Sequence, residues 1–228
     1  MKRISVDIGG TFTDCFVVWD NKYIETKALT THQNLALGFN EALEKAYQEL
    51  GVGMEELLAG VDSVRYATTL GTNALIEHNG PRIGMLVTAG YEAMVPLSRA
   101  RGYGEGLDDL GKQNLPDAQR PVPLVLPNMI EGVRERLGFE GELVMPVDED
   151  DVRQKIRTLV DKGAQAIVIC FVNSVVNPAH EKRVEEILLE EYPTHLLGSI
   201  PVILSHRVAG RKGEYVRATS AIVDGYLH

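Results

Sequence analysis

The opening of the chain limits its fold more than any other stretch. Apolar residues run from Ile4 into Asp7, Gly9 and Gly10 interrupt them, and a second apolar run extends from Phe16 to Trp19. That pattern predicts a strand, a tight glycine turn and a returning antiparallel strand. Two adjacent glycines turn the backbone sharply and put no Cβ between its N–H groups and an incoming anion. Phosphate suits such a turn, and Thr11 and Thr13 add two neutral hydroxyls beside it. Asp7, at the end of the first strand, supplies a carboxylate for Mg²⁺, directly or through its water, because hard divalent ions prefer oxygen and keep part of their hydration shell. The plainer alternative is a glycine hairpin with solvated hydroxyls. Asp7, Gly9-Gly10-Thr11 and Thr13-Asp14 together on one hairpin favour phosphate.

The totals narrow the setting. A chain of 228 residues forms one large domain or two small ones with a proper core. A net charge of −9 argues against nucleic acid or an anionic membrane as partner. Cys15 and Cys170 sit inside apolar, strand-like runs and read as free buried thiols of a reducing cytoplasm. Asp7 interrupts the start before a signal-peptide core can form, and no run reaches membrane-spanning length, so the expected location is cytoplasmic.

Asp20-Asn21 turns into a third strand near Tyr23 to Ala28. Leu35, Phe39, Leu43, Ala46, Tyr47 and Leu50 recur at helical spacing, with Gly51 as the stop, and a short helix over Met54 to Ala59 follows. A strand from Val64 then ends in Thr68-Thr69, turns at Gly71 and opens a helix near Asn73, with Thr72 or Asn73 as its N-cap. Strand-to-helix turns of this kind are where α/β proteins commonly bind ligands, which makes Thr68, Thr69, Thr72 and Asn73 candidates for substrate or a second loop. Strand-forming threonines are the alternative.

Ile83 to Thr88 reads as a buried strand, and Ala89-Gly90 leads into a short helix. From Ser98 to Pro127 periodicity lapses around Arg99, Arg101 and several glycines and prolines, as in a lid, a partner-binding loop or a solvated linker. Met129 to Leu137 and Glu142 to Met145 flank a hairpin turn, Asp148 caps a helix from Glu149 to Lys162, and Gln165 to Val172 is a strand covered on both faces. Asn177-Pro178 starts another helix, with Asn as N-cap and His180 at the surface. Pro201 to Ser205 is a strand, and a last helix bears Tyr215, Ala218, Ile222 and Tyr226. Strands alternating with helices after an antiparallel hairpin give an α/β fold.

Asp7-Ile8-Gly9-Gly10-Thr11-Phe12-Thr13-Asp14 resembles the first phosphate loop of the actin-like ATPase superfamily of sugar kinases and heat-shock chaperones. Its ending is similar to that of the hydantoinase A, 5-oxoprolinase and acetone carboxylase family. Thr68 to Glu77, Cys170 to Glu181 and Ser205-His206 with Glu214 to Thr219 resemble further blocks of the same family. The resemblance implies the N-terminal part of an actin-like ATPase fold, with residues 1–204 as the family's N-terminal region, a sub-boundary near residue 90, and 205–228 as the start of the next domain.

It also implies ATP and Mg²⁺ as cofactors, with Gly9, Gly10, Thr11, Phe12 and Thr13 on the nucleotide phosphates and Asp7 on the metal. The implied chemistry is ATP-dependent activation of a carbonyl oxygen, that of a ketone enolate before carboxylation or of a cyclic amide before ring opening. Pro121 to Pro127, Val133 to Arg136 and Arg101-Gly102-Tyr103-Gly104 resemble the ketone carboxylases more. Family members are longer and carry a second Asp-x-Gly-Gly-Thr loop that this sequence lacks. The expected object is therefore an N-terminal fragment, or a chain completed by other subunits of a hetero-oligomer, and inactive alone. Two rival readings are a non-catalytic actin-like subunit and a small sugar or acetate kinase.

Overall fold

A computed structural model of the chain describes residues 1–97, 102–104, 106–114, 116, 118, 120, 122–193 and 199–227. They form two compact units, Met1–Asn79 and Gly80–His228.

The first unit is built on β1 (Lys2–Ile8), β2 (Phe12–Trp19), β3 (Lys22–Leu29) and β4 (Ser63–Thr68), in the order β3-β2-β1-β4. β1 pairs antiparallel with β2 and parallel with β4. Strand alternation sends Ile4, Val6, Cys15, Val17, Ile24 and Ala28 to one face, where they pack with Ala42, Leu43 and Ala46 of α1 (Leu35–Leu50) and Leu57 of α2 (Met54–Gly60). Each large side chain so buried contributes about 1.5–3 kcal/mol. Asn34 caps α1 by accepting from the Ala36 N–H at 3.1 Å, and Gly51 ends it in the left-handed conformation at φ 75°.

Gly38 lets α1 lie directly on the β3 backbone, since a Cβ there would sit 2.5 Å from the Leu29 carbonyl oxygen. Alanine gains about 1 kcal/mol of helix propensity, less than the roughly 1–3 kcal/mol cost of overpacking against a fixed carbonyl. Gly38→Ala is therefore expected to lower the urea midpoint of the full-length protein. An unchanged or raised midpoint contradicts this packing.

After β4 comes α3 (Leu70–Glu77). Its start corrects the sequence reading. Gly71 lies inside the helix, and Thr69 takes the cap position in place of Thr72 or Asn73, without a side-chain cap bond. The Leu70 N–H finds the Thr68 hydroxyl at 3.2 Å instead, so the helix begins as soon as the strand ends.

The second unit has a parallel sheet of β5 (Ile83–Thr88), β6 (Ile130–Val133), β9 (Ala166–Cys170) and β10 (Val202–Leu204), ordered β10-β9-β5-β6. Every residue of β5 and β9 is buried, as both-face coverage requires. α5 (Glu149–Asp161) packs on β5 and β6, and α6 (Ala179–Glu191) packs on α5. α8 (Glu214–Tyr226) lies on β9 and β10 and touches α4 (Met94–Leu97) and α7 (Ser205–Val208). The expected single strand Met129 to Leu137 is split. β6 joins β5 in parallel, and only β7 (Arg136–Leu137) forms the hairpin, with β8 (Leu143–Met145). The break falls where the Arg134 N–H leaves the ladder for the Asp151 carboxylate at 2.9 Å.

Asp148 caps α5 through the Asp151 N–H at 3.0 Å. Before α6 the cap position is Pro178, one residue later than the sequence suggests, although the Asn177 side chain still accepts from the Ala179 N–H at 3.1 Å. Between residues 98 and 127 the described residues are irregular apart from a turn of 3₁₀ helix at Gly111–Gln113 and the start of another at Pro127. Arg99 and Arg101 lie outside the described residues. No described helix is long and apolar enough to cross a membrane.

Candidate functional site

The turn between β1 and β2 is held from below by Thr30. Its hydroxyl donates to the Gly9 carbonyl at 2.9 Å, its N–H donates to the Thr11 carbonyl at 3.0 Å, and the Gly9 N–H closes the turn on the Phe12 carbonyl at 2.9 Å. The Gly9, Thr11 and Phe12 carbonyls are thereby committed within the turn. The Gly10 and Thr11 N–H groups bond to nothing among the described residues, which leaves two amides for an anion. A Cβ on Gly9 would come 3.0 Å from the Phe12 oxygen, and one on Gly10 would come 3.1 Å from Asn73 Nδ2. Both positions are tight for any larger residue.

Gly10, Thr11, His32, Asn73, Glu77 and Asn79 line a hollow of about 670 Å³ beside this turn. Asn73, a candidate for substrate or a second loop in the sequence, lies beside the glycine loop. Thr68 acts one step behind it, donating to the Ile8 carbonyl at 3.1 Å and so tying the end of β1 to the start of α3. Thr69 and Thr72 are exposed, and Thr69 donates its N–H to the same Ile8 carbonyl at 3.4 Å.

Thr13 corrects the expected donor set. Its register with Ile8 and Ala28 turns it to the helix-covered face, where it is fully buried and its hydroxyl sits 3.1 Å from that of Thr30. It supports the loop and does not face an anion. Phe12 points to the uncovered face, 43% exposed, with Lys27 Nζ 5.0 Å from the ring centroid.

Asp7 stands on that uncovered face opposite Asp14, in a second hollow of about 600 Å³ that Phe16, Glu25 and Arg65 also line. Lys27 holds Asp14 at 3.0 Å, while Asp7 makes no bond or ion pair among the described residues. One uncommitted carboxylate fits Mg²⁺, which takes one or two carboxylates and fills its remaining positions with water and phosphate. It does not fit an all-protein metal cage, and no cluster of three or more metal-ligating side chains occurs among the described residues. Asp7 and the Gly10–Thr11 amides therefore flank one strand end from different sides.

Sequence reading missed Thr30, His32, Glu77 and Asn79. A threonine pair directly after β3 was the available signal for Thr30. It also missed a buried polar network in the second unit. His180, expected at the surface, is buried, with Nδ1 2.6 Å from Glu135, whose other oxygen accepts from the Thr88 hydroxyl. Fully buried Glu181 accepts from the Phe171 N–H at 3.0 Å, the Ser205 hydroxyl at 2.6 Å, and His206 through its N–H at 3.2 Å and Nδ1 at 2.6 Å. Arg217, also fully buried, donates to the Phe171 carbonyl at 2.6 Å and to Ser205 at 3.3 Å. These groups fasten the ends of β9 and β10 to α6 and α8. Burial pushes the Cys170 thiol up to about 11, which keeps it inert, and both cysteines are free and buried.

Residues 3–192 match the model of the hydantoinase/oxoprolinase N-terminal region. The acetophenone carboxylase gamma subunit of Aromatoleum aromaticum is 42% identical over 227 residues, which are 100% of this chain and 31% of that protein. A nucleotide-free structure of acetone carboxylase, from a study of ATP-dependent acetone carboxylation, superposes with a TM-score of 0.89 at 31% identity, covering 100% of this chain and 32% of that one. ATP-dependent caprolactamase from Pseudomonas jessenii superposes with a TM-score of 0.81 at 28% identity, covering 99% and 31%. This chain therefore spans about a third of the length of the proteins it resembles, and it shares with them the N-terminal part of an actin-like fold.

Proposed function

The chain belongs to the hydantoinase/oxoprolinase family through its N-terminal region, and we propose that it forms the phosphate-binding wall of an ATP-dependent ketone carboxylase. In this reading the γ-phosphoryl group passes from ATP to a ketone's enolate oxygen. A base takes the ketone's α-proton, and an O–P bond forms as the bond to the ADP oxygen breaks. The α-carbon of the enol phosphate then bonds to the carbon of bicarbonate while the enol O–P bond breaks, and inorganic phosphate leaves carrying the bicarbonate oxygen.

One observation carries the reading. The Gly9–Thr11 turn has its Gly9 and Thr11 carbonyls tied to Thr30 and two N–H groups left open, and such preset donors are what phosphoryl transfer asks of a protein. Thr11 and Asn73 would add neutral donors from the same hollow. Asp7 would hold Mg²⁺, which when bound supplies neutralisation of charge on the phosphate oxygens. The 42% identity to an acetophenone carboxylase subunit supports the ketone as substrate. The likeness to caprolactamase supports the second reading, a cyclic amide activated in the same way and then opened by water.

Family members' lengths support an assembly in which further sequence or other subunits complete the site. The test is Gly10→Val in the full-length protein with its accompanying chains. Valine at this position meets Asn73 and covers the free amides, so ATP hydrolysis should fall at least about 100-fold. Wild-type turnover in that variant would remove the loop from phosphate handling.

A further inference from the structure

The second unit holds a hollow of about 580 Å³ between α4, the Val122–Val125 stretch and α8. That volume lies within the range of small-molecule sites, about 300–1,000 Å³. Val122, Leu124, Val125, Ile222 and Val223 make its wall apolar. Pro96, Pro123 and Pro127 add rings without backbone N–H donors.

Charge is absent from this wall except for Arg120, among the described residues. Its guanidinium donates to the Pro96 and Leu97 carbonyls and stacks 4.0 Å from the Tyr103 ring centroid. Thr219 is likewise engaged, turned back to the Tyr215 and Val216 carbonyls at 3.0 and 3.1 Å. The Tyr215 hydroxyl bonds to nothing among the described residues. A cationic ligand would lose its hydration here and meet the Arg120 charge, whose N–H groups are already directed to the Pro96 and Leu97 carbonyls. A neutral apolar skeleton would lose little, and Tyr215 offers one donor to an acceptor oxygen.

We propose that this hollow binds a small neutral carbonyl compound with an aryl or alkyl skeleton, with Tyr215 donating to the carbonyl oxygen. The choice of ligand rests on the ketone reading above, whereas the hollow and its chemistry are independent of the phosphate loop. The site makes the second unit the place where the apolar substrate is gathered.

The test is equilibrium dialysis of radiolabelled acetophenone against the full-length protein with its accompanying chains, in the absence of ATP. Val223→Trp, at a partly exposed position, fills the hollow and should weaken binding at least tenfold. Tyr215→Phe removes one hydrogen bond and should weaken it about threefold to tenfold. Circular dichroism confirms that each variant is folded. Binding that is lost as stated in a protein showing no ATP turnover would sink the phosphate-loop reading and leave this site standing. Binding untouched by both folded variants overturns the site, as does a wild-type protein that binds no acetophenone.

Discussion

Asp7→Asn in the full-length protein should reduce ketone-stimulated ATP hydrolysis at least about 100-fold, the scale seen when one preset electrostatic contact to a reacting group is removed. Asp7 has no partner among the described residues and is exposed. Its replacement should therefore leave folding stability within about 0.5 kcal/mol. Asparagine keeps the shape and loses the charge that a divalent ion needs. Raising Mg²⁺ should recover part of the lost rate if the defect is metal affinity. Activity within threefold of wild type, with stability unchanged, would remove Asp7 from the reaction.

Glu181→Ala should be the most destabilising single change in the second unit. It strips the partner from three N–H or O–H donors and the His206 ring, all at the ends of β9 and β10. Breaking a buried charged network costs about 3–5 kcal/mol, a large part of a typical domain's stability. Chemical denaturation of the full-length protein checks this, and a loss below about 1 kcal/mol would contradict it.

The same carboxylate gives a pH dependence. Burial alone would raise its pKa, but hydrogen bonds from His206, Ser205, the Phe171 N–H and Ser174 outweigh burial and hold it below its ordinary value of 4.5. With the folded value depressed, the unfolded chain binds the proton more readily in the interval between the two values. The contribution is complete above about pH 4.5 and is lost as pH falls through the folded value. Wild type should accordingly lose stability on acidification below that pH, and Glu181→Ala should lose less over the same interval.

Periodic segments were legible in the sequence because one face of each had to be apolar. The β1–β2 hairpin, β3, α1 with its Gly51 stop, β5 and β9 fall where the pattern places them. Errors gathered where backbone bonding, unseen in a sequence, decides the geometry. The cap of α3 moved because the Thr68 hydroxyl reaches the Leu70 N–H, and the Met129–Leu137 strand broke because Asp151 captures the Arg134 N–H. His180 was misplaced for a different reason. Its partner Glu135 is 45 residues away in sequence, and a single polar residue among acids gives no sign of a distant buried carboxylate. At the candidate site the glycine turn was legible as a turn, whereas the neighbourhood of Gly10 and Asn73 and the inward turn of Thr13 follow only from the folded chain.

The measurement that decides most is ADP formation by the full-length protein with its accompanying chains. It is taken with acetophenone or acetone, each with and without bicarbonate, and with hydantoin or 5-oxoproline. The loop geometry and the family together predict ADP formation that depends on a ketone and yields a carboxylated product when bicarbonate is present. Stimulation confined to the cyclic amides, with ring opening, or no ADP formation with any of these compounds would contradict it.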